Sequence, residues 1–196
     1  NTASIYNLEF MEKKKNKLVI LAHFIDDRSV YRAIPILKYL PFSLVEKIFW
    51  YLPARWSYVV ASHFDIIGQA EAYIVGIALT PKQMNSPRKD IVRKKILTAT
   101  LYAQNKLGCD FLMLGGLTAP ATSAGLFLTE HAQVKLNVTT GNAYTAAITL
   151  HSVYKAVEMA KLNLSELTVA VIGATGTIGE AVSRVLEDQV KDLILV

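Results

Sequence analysis

The chain has 196 residues, 52% of them hydrophobic, and carries 21 Lys/Arg against 16 Asp/Glu for a net charge of +5. That length supports one good core or two small ones, and that apolar content excludes a disordered chain. The one cysteine, Cys109, excludes an internal disulfide and a cysteine zinc site, and fits a reducing, cytoplasmic setting.

The charge is uneven: residues 1–100 hold fifteen Lys/Arg against eight Asp/Glu, residues 101–196 six against eight. The first half therefore suits an anionic partner, while Lys13, Lys14, Lys15 and Lys17 read as a solvated tail before a strand. No nucleic-acid partner is expected. The opening "NTASIYNLEF" lacks the layout of a secretory signal, and no apolar window has the length of a membrane span.

In chain order, "KLVILAHF" (17–24) reads as a buried strand. Ser43-Leu44-Val45-Glu46 has capping-box spacing, which predicts a short helix stopped by Pro53, with Leu44, Val45, Ile48, Phe49 and Leu52 on one face. "YVVASHF" (58–64) and "AYIVGIAL" (72–79) suggest a hairpin or two paired strands. A polar connection (80–88) leads to a long amphipathic helix over 89–107, its face marked by Ile91, Val92, Ile96, Leu97, Thr100, Leu101 and Gln104 and its end by Gly108.

"DFLML" (110–114) is the next strand and runs into Gly115-Gly116. After an irregular stretch, "QVKLNV" (133–138) alternates as a strand. Thr139-Thr140-Gly141-Asn142 turns into a helix over about 143–161, with Ala146, Leu150, Val153, Val157 and Ala160 inward. "LTVAVI" (167–172), a glycine turn, a helix over 177–188 with Ile178, Ala181, Val182 and Val185 inward, and "DLILV" (192–196) complete the chain. From Gly108 on, strands and helices alternate as in a parallel sheet, so the expected class is α/β: an amino-terminal α/β domain over 1–142, then a connecting helix and the first β-α-β of a Rossmann-type sheet over 143–196.

The glycine turn has the spacing Gly173-x-x-Gly176-x-x-Gly179. The first glycine permits a tight exit from the strand, the second a close backbone approach to a pyrophosphate, and the third close packing of helix on sheet. With amides at the helix start receiving phosphate, the expected cofactor contacts are Gly173, Thr175, Gly176, Thr177, Ile178 and Gly179. The residue that separates NAD from NADP follows the second strand, beyond Val196, so the residues leave that choice open.

Thr140, Gly141 and Asn142, with Gly115, Gly116 and Thr118, sit at carboxyl ends of strands and are candidates for the substrate side, although helix capping and sharp turns account for the same residues. Cys109 lies at the amino end of its strand and reads as a buried structural thiol. His23, His63, His131 and His151 show no metal-ligand spacing, no serine has a nucleophile-elbow context, and the residues name no catalytic group.

"LGGLTA" (114–119), "VTTGNAYTA" (138–146) and "VAVIGATGTIGEAVSRVL" (169–186), in this order, resemble the cyanobacterial long-chain acyl-[acyl-carrier-protein] reductases and related amino-acid dehydrogenases. "IIGQAEAYIVGIALTPKQM" (66–84) extends the resemblance, and "LPFSLVEKIFWYLP" has no close counterpart in it. The resemblance implies an NADPH-dependent reductase that turns long-chain acyl thioesters of acyl-carrier-protein or CoA into fatty aldehydes, with a cysteine attacking the thioester. Cys109 does not match that cysteine, so the chain is expected to be a fragment that is inactive alone. Other readings are an NAD(P)-dependent dehydrogenase of a small amino or keto acid, and a non-catalytic module whose basic half and helix at 44–52 meet an acidic carrier or a membrane surface. An incomplete parallel sheet should leave apolar faces uncovered, which predicts homo-oligomerisation or a missing carboxyl-terminal half.

Overall fold

A computed structural model describes residues 15–196; Lys13 and Lys14 of the basic run lie outside the described residues. The chain divides into two compact units, one ending at Val138 and the other spanning Thr139–Val196.

The first unit is built on a mostly parallel five-stranded sheet of order β2-β3-β1-β4-β5. Its strands are β1 (Asn16–His23), β2 (Tyr58–Ile66), β3 (Ala70–Ile77), β4 (Phe111–Leu114) and β5 (Asn137–Thr139). β1 is central, parallel to β3 through Asn16–His23 and to β4 through Leu18–Leu21, because its alternation buries Val19 and Leu21 completely. β2 and β3 form an antiparallel hairpin with a bulge between Val60 and Ser62. Its turn is closed by the Gln69 amide on the Ile66 carbonyl at 2.9 Å, with Ile67 and Gly68 both at positive φ. Lys17 pairs with Glu71 at the amino ends of β1 and β3 at 2.9 Å, and Lys15 with Asp65 at the carboxyl end of β2 at 2.9 Å.

Helices α1 (Asp27–Ala33), α2 (Phe42–Tyr51), α3 (Pro81–Met84), α4 (Lys89–Tyr102), α5 (Thr118–Ala121) and α6 (Leu126–Thr129) complete this unit. α4 packs on the sheet through Val92, Ile96, Ala99 and Ala103, joining Val19, Leu21, Val75, Leu112 and Leu114 in the main core. A satellite cluster of Phe24, Val30, Val45, Phe49 and Ala78 seats α1 and α2.

The box at Ser43–Glu46 does not form: α2 begins at Phe42 behind Pro41 with no side-chain cap, and the Glu46 carboxylate instead accepts from the Thr80 hydroxyl at 2.9 Å. Capping boxes form at Asp26–Ser29 and Thr80–Gln83, where the Asp26 carboxylate and the Thr80 hydroxyl oxygen accept from first-turn amides. Of the face assigned to α2, Val45 and Phe49 are buried while Leu44 and Ile48 are exposed. α4 turns a slightly different face inward, which buries Lys95. Its last turn widens to a π-helix over Ala103–Leu107 before Gly108 stops it in the left-handed region. That wider turn lets Gln104 bond both the Lys135 amide (2.6 Å) and the Gln133 carbonyl (3.1 Å). Those bonds hold residues 133–135 as a loop, so β5 is shorter than the alternation predicts.

The second unit contains α7 (Asn142–Met159), β6 (Thr168–Val171), α8 (Thr177–Leu186) and β7 (Asp192–Leu195), with β6 and β7 paired in parallel as a separate two-stranded sheet. Ala146, Val182 and Leu186 form its buried apolar cluster, with Leu150, Val153, Val169 and Val171 packed against them. Val185 and Ala160, expected inward, are exposed, and Leu186 takes the core position on α8. Ile172, Ile194, Leu195 and Val196 are exposed, as expected for a sheet with uncovered apolar faces.

Candidate functional site

The β-branched run of β6 ends in a turn that only glycine fits at two points. Gly173 takes φ +82, and its amide and that of Ala174 donate to the Val196 carbonyl at 2.8 and 3.1 Å. Gly176 caps α8 in an extended conformation and donates to the Gly173 carbonyl at 3.0 Å. Gly179 has no room at all for a side chain, because a Cβ there would lie 2.2 Å from the Gly173 carbonyl oxygen. The first turn of α8 is thus pressed against the turn that precedes it.

Residues Asn142, Thr149, Ile172, Gly173, Gly176, Thr177, Ile178 and Gly179 line an open cleft of about 420 Å³, floored by Val171 and Val182. No side chain caps α8, so the amides of Thr177, Ile178 and Gly179 stand at the positive end of the helix dipole. None of the lining residues is charged. Glu180, in the same first turn, would repel an anion, but Arg184 holds it at 2.7 Å. The cleft therefore suits a phosphate or pyrophosphate held by amides and dipole, not by ion pairing.

Of the expected cofactor contacts, Gly173, Gly176, Thr177, Ile178 and Gly179 line this cleft, and Thr175 does not. Among the candidates around Thr140, Asn142 reaches it. Gly141 is the N-cap of α7 at φ +72, and the Thr140 hydroxyl accepts from the Asn142 amide at 3.4 Å, so these two shape the entry to α7. Thr149 also lines the cleft; its position two turns after Asn142 is the signal that could have marked it.

Gly115, Gly116 and Thr118 belong to the first unit. Thr118 is fully buried, and its hydroxyl donates to the Gly115 carbonyl at 2.8 Å, which makes it a turn-closing residue. Gly116, at φ +55, leaves room for the His23 ring, whose Nε2 would lie 3.1 Å from a Cβ there. His23 Nδ1 sits 2.9 Å from the Phe24 carbonyl, which can only accept, so Nδ1 carries the proton. Cys109 is buried in the main core, and burial pushes its thiol up to about 11, which keeps it protonated and unreactive at neutral pH. Among the described residues no cluster of His, Cys, Asp and Glu could hold a metal ion.

The chain is similar to a long-chain acyl-[acyl-carrier-protein] reductase. That protein, from Synechococcus elongatus, is 36% identical over 123 residues, covering 59% of this chain. The chain spans 36% of that relative's length. No family model matches the chain. The relative is an oxidoreductase by name. Among the described residues no helix is long and apolar enough to cross a membrane.

Proposed function

We propose that this chain supplies the dinucleotide seat of a reductase that converts long-chain acyl thioesters, on acyl-carrier-protein or CoA, to aldehydes with NADPH. The observation that carries the reading is the closeness of Gly179 to the Gly173 carbonyl, which brings three uncapped amides to one cleft. The similarity to an acyl-[acyl-carrier-protein] reductase supports acyl thioesters as the substrate class.

The residues present fit a nicotinamide dinucleotide. The amides of Thr177, Ile178 and Gly179 would receive its pyrophosphate, and Asn142 and the Thr177 hydroxyl would add neutral hydrogen bonds. Bound there, the nicotinamide supplies a hydride. The apolar floor of Val171 and Val182 keeps water from one side of the cleft, which strengthens each amide–phosphate bond.

Calorimetric titration of the chain with NADPH and NADH should give saturable binding of both, since the residue that separates them follows the second strand. Asn142→Asp places a carboxylate in the cleft without a clash and should weaken binding at least about tenfold, the effect of roughly 1.4 kcal/mol. Gly179→Ala should abolish binding; circular dichroism must show that it still folds. Absence of saturable binding to the wild-type chain would sink the dinucleotide reading. Dinucleotide binding with no aldehyde from any long-chain acyl thioester, in the longest form of the protein, would move the substrate to small amino or keto acids.

A further inference from the structure

The segment 34–56, "IPILKYLPFSLVEKIFWYLPARW", holds fourteen large apolar or aromatic residues, of which Val45 and Phe49 are buried. Ile36 (74%), Tyr39 (77%) and Tyr51 (79%) are mostly exposed, and Leu44, Ile48 and Trp56 are exposed as well. α2 explains how this arises. Val45 and Phe49, one turn apart, point into the satellite core. Leu44, Ile48 and Tyr51 follow the i, i+4, i+7 spacing along its outer side, with Lys47 between them. A helix apolar on both sides needs something to cover its outer stripe.

The surroundings are cationic. Lys38 lies 4.9 Å over the Tyr39 ring and Arg55 4.8 Å over the Trp56 ring. A cleft of about 450 Å³ beside α2 brings Lys47 and Tyr51 together with Lys82 and Arg88. Its acidic residue, Glu46, is engaged by the Thr80 hydroxyl at 2.9 Å. Exposed Trp and Tyr bearing cations, exposed isoleucines, and a helix too short to span are the composition of an interfacial element.

We propose that this face docks on an anionic membrane surface. α2 lies in the plane of the interface with Leu44, Ile48 and Tyr51 below the headgroups. Lys47, Lys82 and Arg88 meet lipid phosphates, while Tyr39 and Trp56 sit at headgroup level. An acidic protein would satisfy the cations but would leave the exposed isoleucines and tyrosines with no matching apolar surface. A membrane satisfies both. This proposal does not depend on the dinucleotide reading.

Flotation of the full chain with vesicles tests it. Vesicles of phosphatidylcholine with about 30% phosphatidylglycerol should carry the protein, and vesicles of phosphatidylcholine alone should carry much less. Raising the salt from 0.05 to about 0.5 M should release it, since exposed charges are then screened. Lys47→Gln with Lys82→Gln should lower the partition coefficient about 25-fold, near five-fold per cation. Leu44→Ser with Ile48→Ser should abolish flotation while circular dichroism stays unchanged, as both side chains are exposed. The proposal is overturned if anionic vesicles do not float the wild type, or if neither variant alters flotation. It is equally overturned if the wild type elutes as a dimer that the Leu44/Ile48 variant converts to monomer, which assigns the face to a second copy. Lysine-dependent binding to an acidic carrier protein, with no flotation, would assign it to a protein partner.

Discussion

At the scale of single residues, Lys95 shows how position overrides residue type. It lies one turn before Ala99 on α4, among Val92, Ile96 and Thr100, and is only 2% exposed. Its ammonium donates to the Phe49 carbonyl, near the end of α2, where helix carbonyls lack partners. Burial lowers its pKa from 10.5 to about 8. Because the folded value is the lower one, the unfolded chain holds more protons between these two values, and stability gains with pH over that window. The cost of the buried charge is fully present below pH 8 and is relieved towards pH 10.5. Urea unfolding of wild type and Lys95→Met between pH 7 and 10 should therefore show wild type gaining on the variant above pH 8, by up to about 1.4 kcal/mol per pH unit. Every other titratable group is common to the two proteins, so the difference between them isolates Lys95. A constant difference across that range would refute the argument.

At the scale of elements, the β2–β3 hairpin carries a mismatch between residue and backbone. Its turn requires positive φ at both central positions, yet the first is Ile67, at φ 48 and 90% exposed. A β-branched residue is strained there by about 1–2 kcal/mol, and the side chain gains nothing from packing. Ile67→Asn, which suits a type I′ turn, should stabilise the protein by about 1 kcal/mol and raise its melting temperature by roughly 2–4 °C in calorimetry. A lowered melting temperature would show that Ile67 is held by a contact. The glycine turn before α8 is the opposite case. Gly173 stands at a backbone angle that strains a side chain and Gly179 where the Gly173 carbonyl excludes one, so that element is legible in the glycine spacing. The capping-box spacing at Ser43 yields no box because the Glu46 carboxylate has a partner 34 residues away in the Thr80 hydroxyl.

At the scale of the whole molecule, the two units differ in how much apolar surface each buries. The first has a main cluster of fifteen buried apolar residues around α4 and the sheet, and the second has three. A two-stranded sheet is marginal in water unless more covers it. Hydrogen–deuterium exchange should then find the amides of β1 and β4 the slowest. Those of β6 and β7 should exchange at least about tenfold faster through local opening. Equal protection of the two sheets would mean that the second unit gains stability from a source other than its own core, such as self-association.

Some features of this protein were set by local sequence. The α/β class, the order of most strands and helices, and the cleft around Gly173–Gly179 follow from periodicity and from backbone angles that only glycine allows. Those requirements act within a few residues, so they are visible in a few residues. Other features were decided only in three dimensions. β1 became the central strand of its sheet, α2 buried Val45 and Phe49 and not Leu44 and Ile48, α4 drew Lys95 inward, and Thr149 joined Asn142 at the cleft. In each case several faces or partners of similar local energy compete, and the choice falls to whichever distant surface is there to be covered.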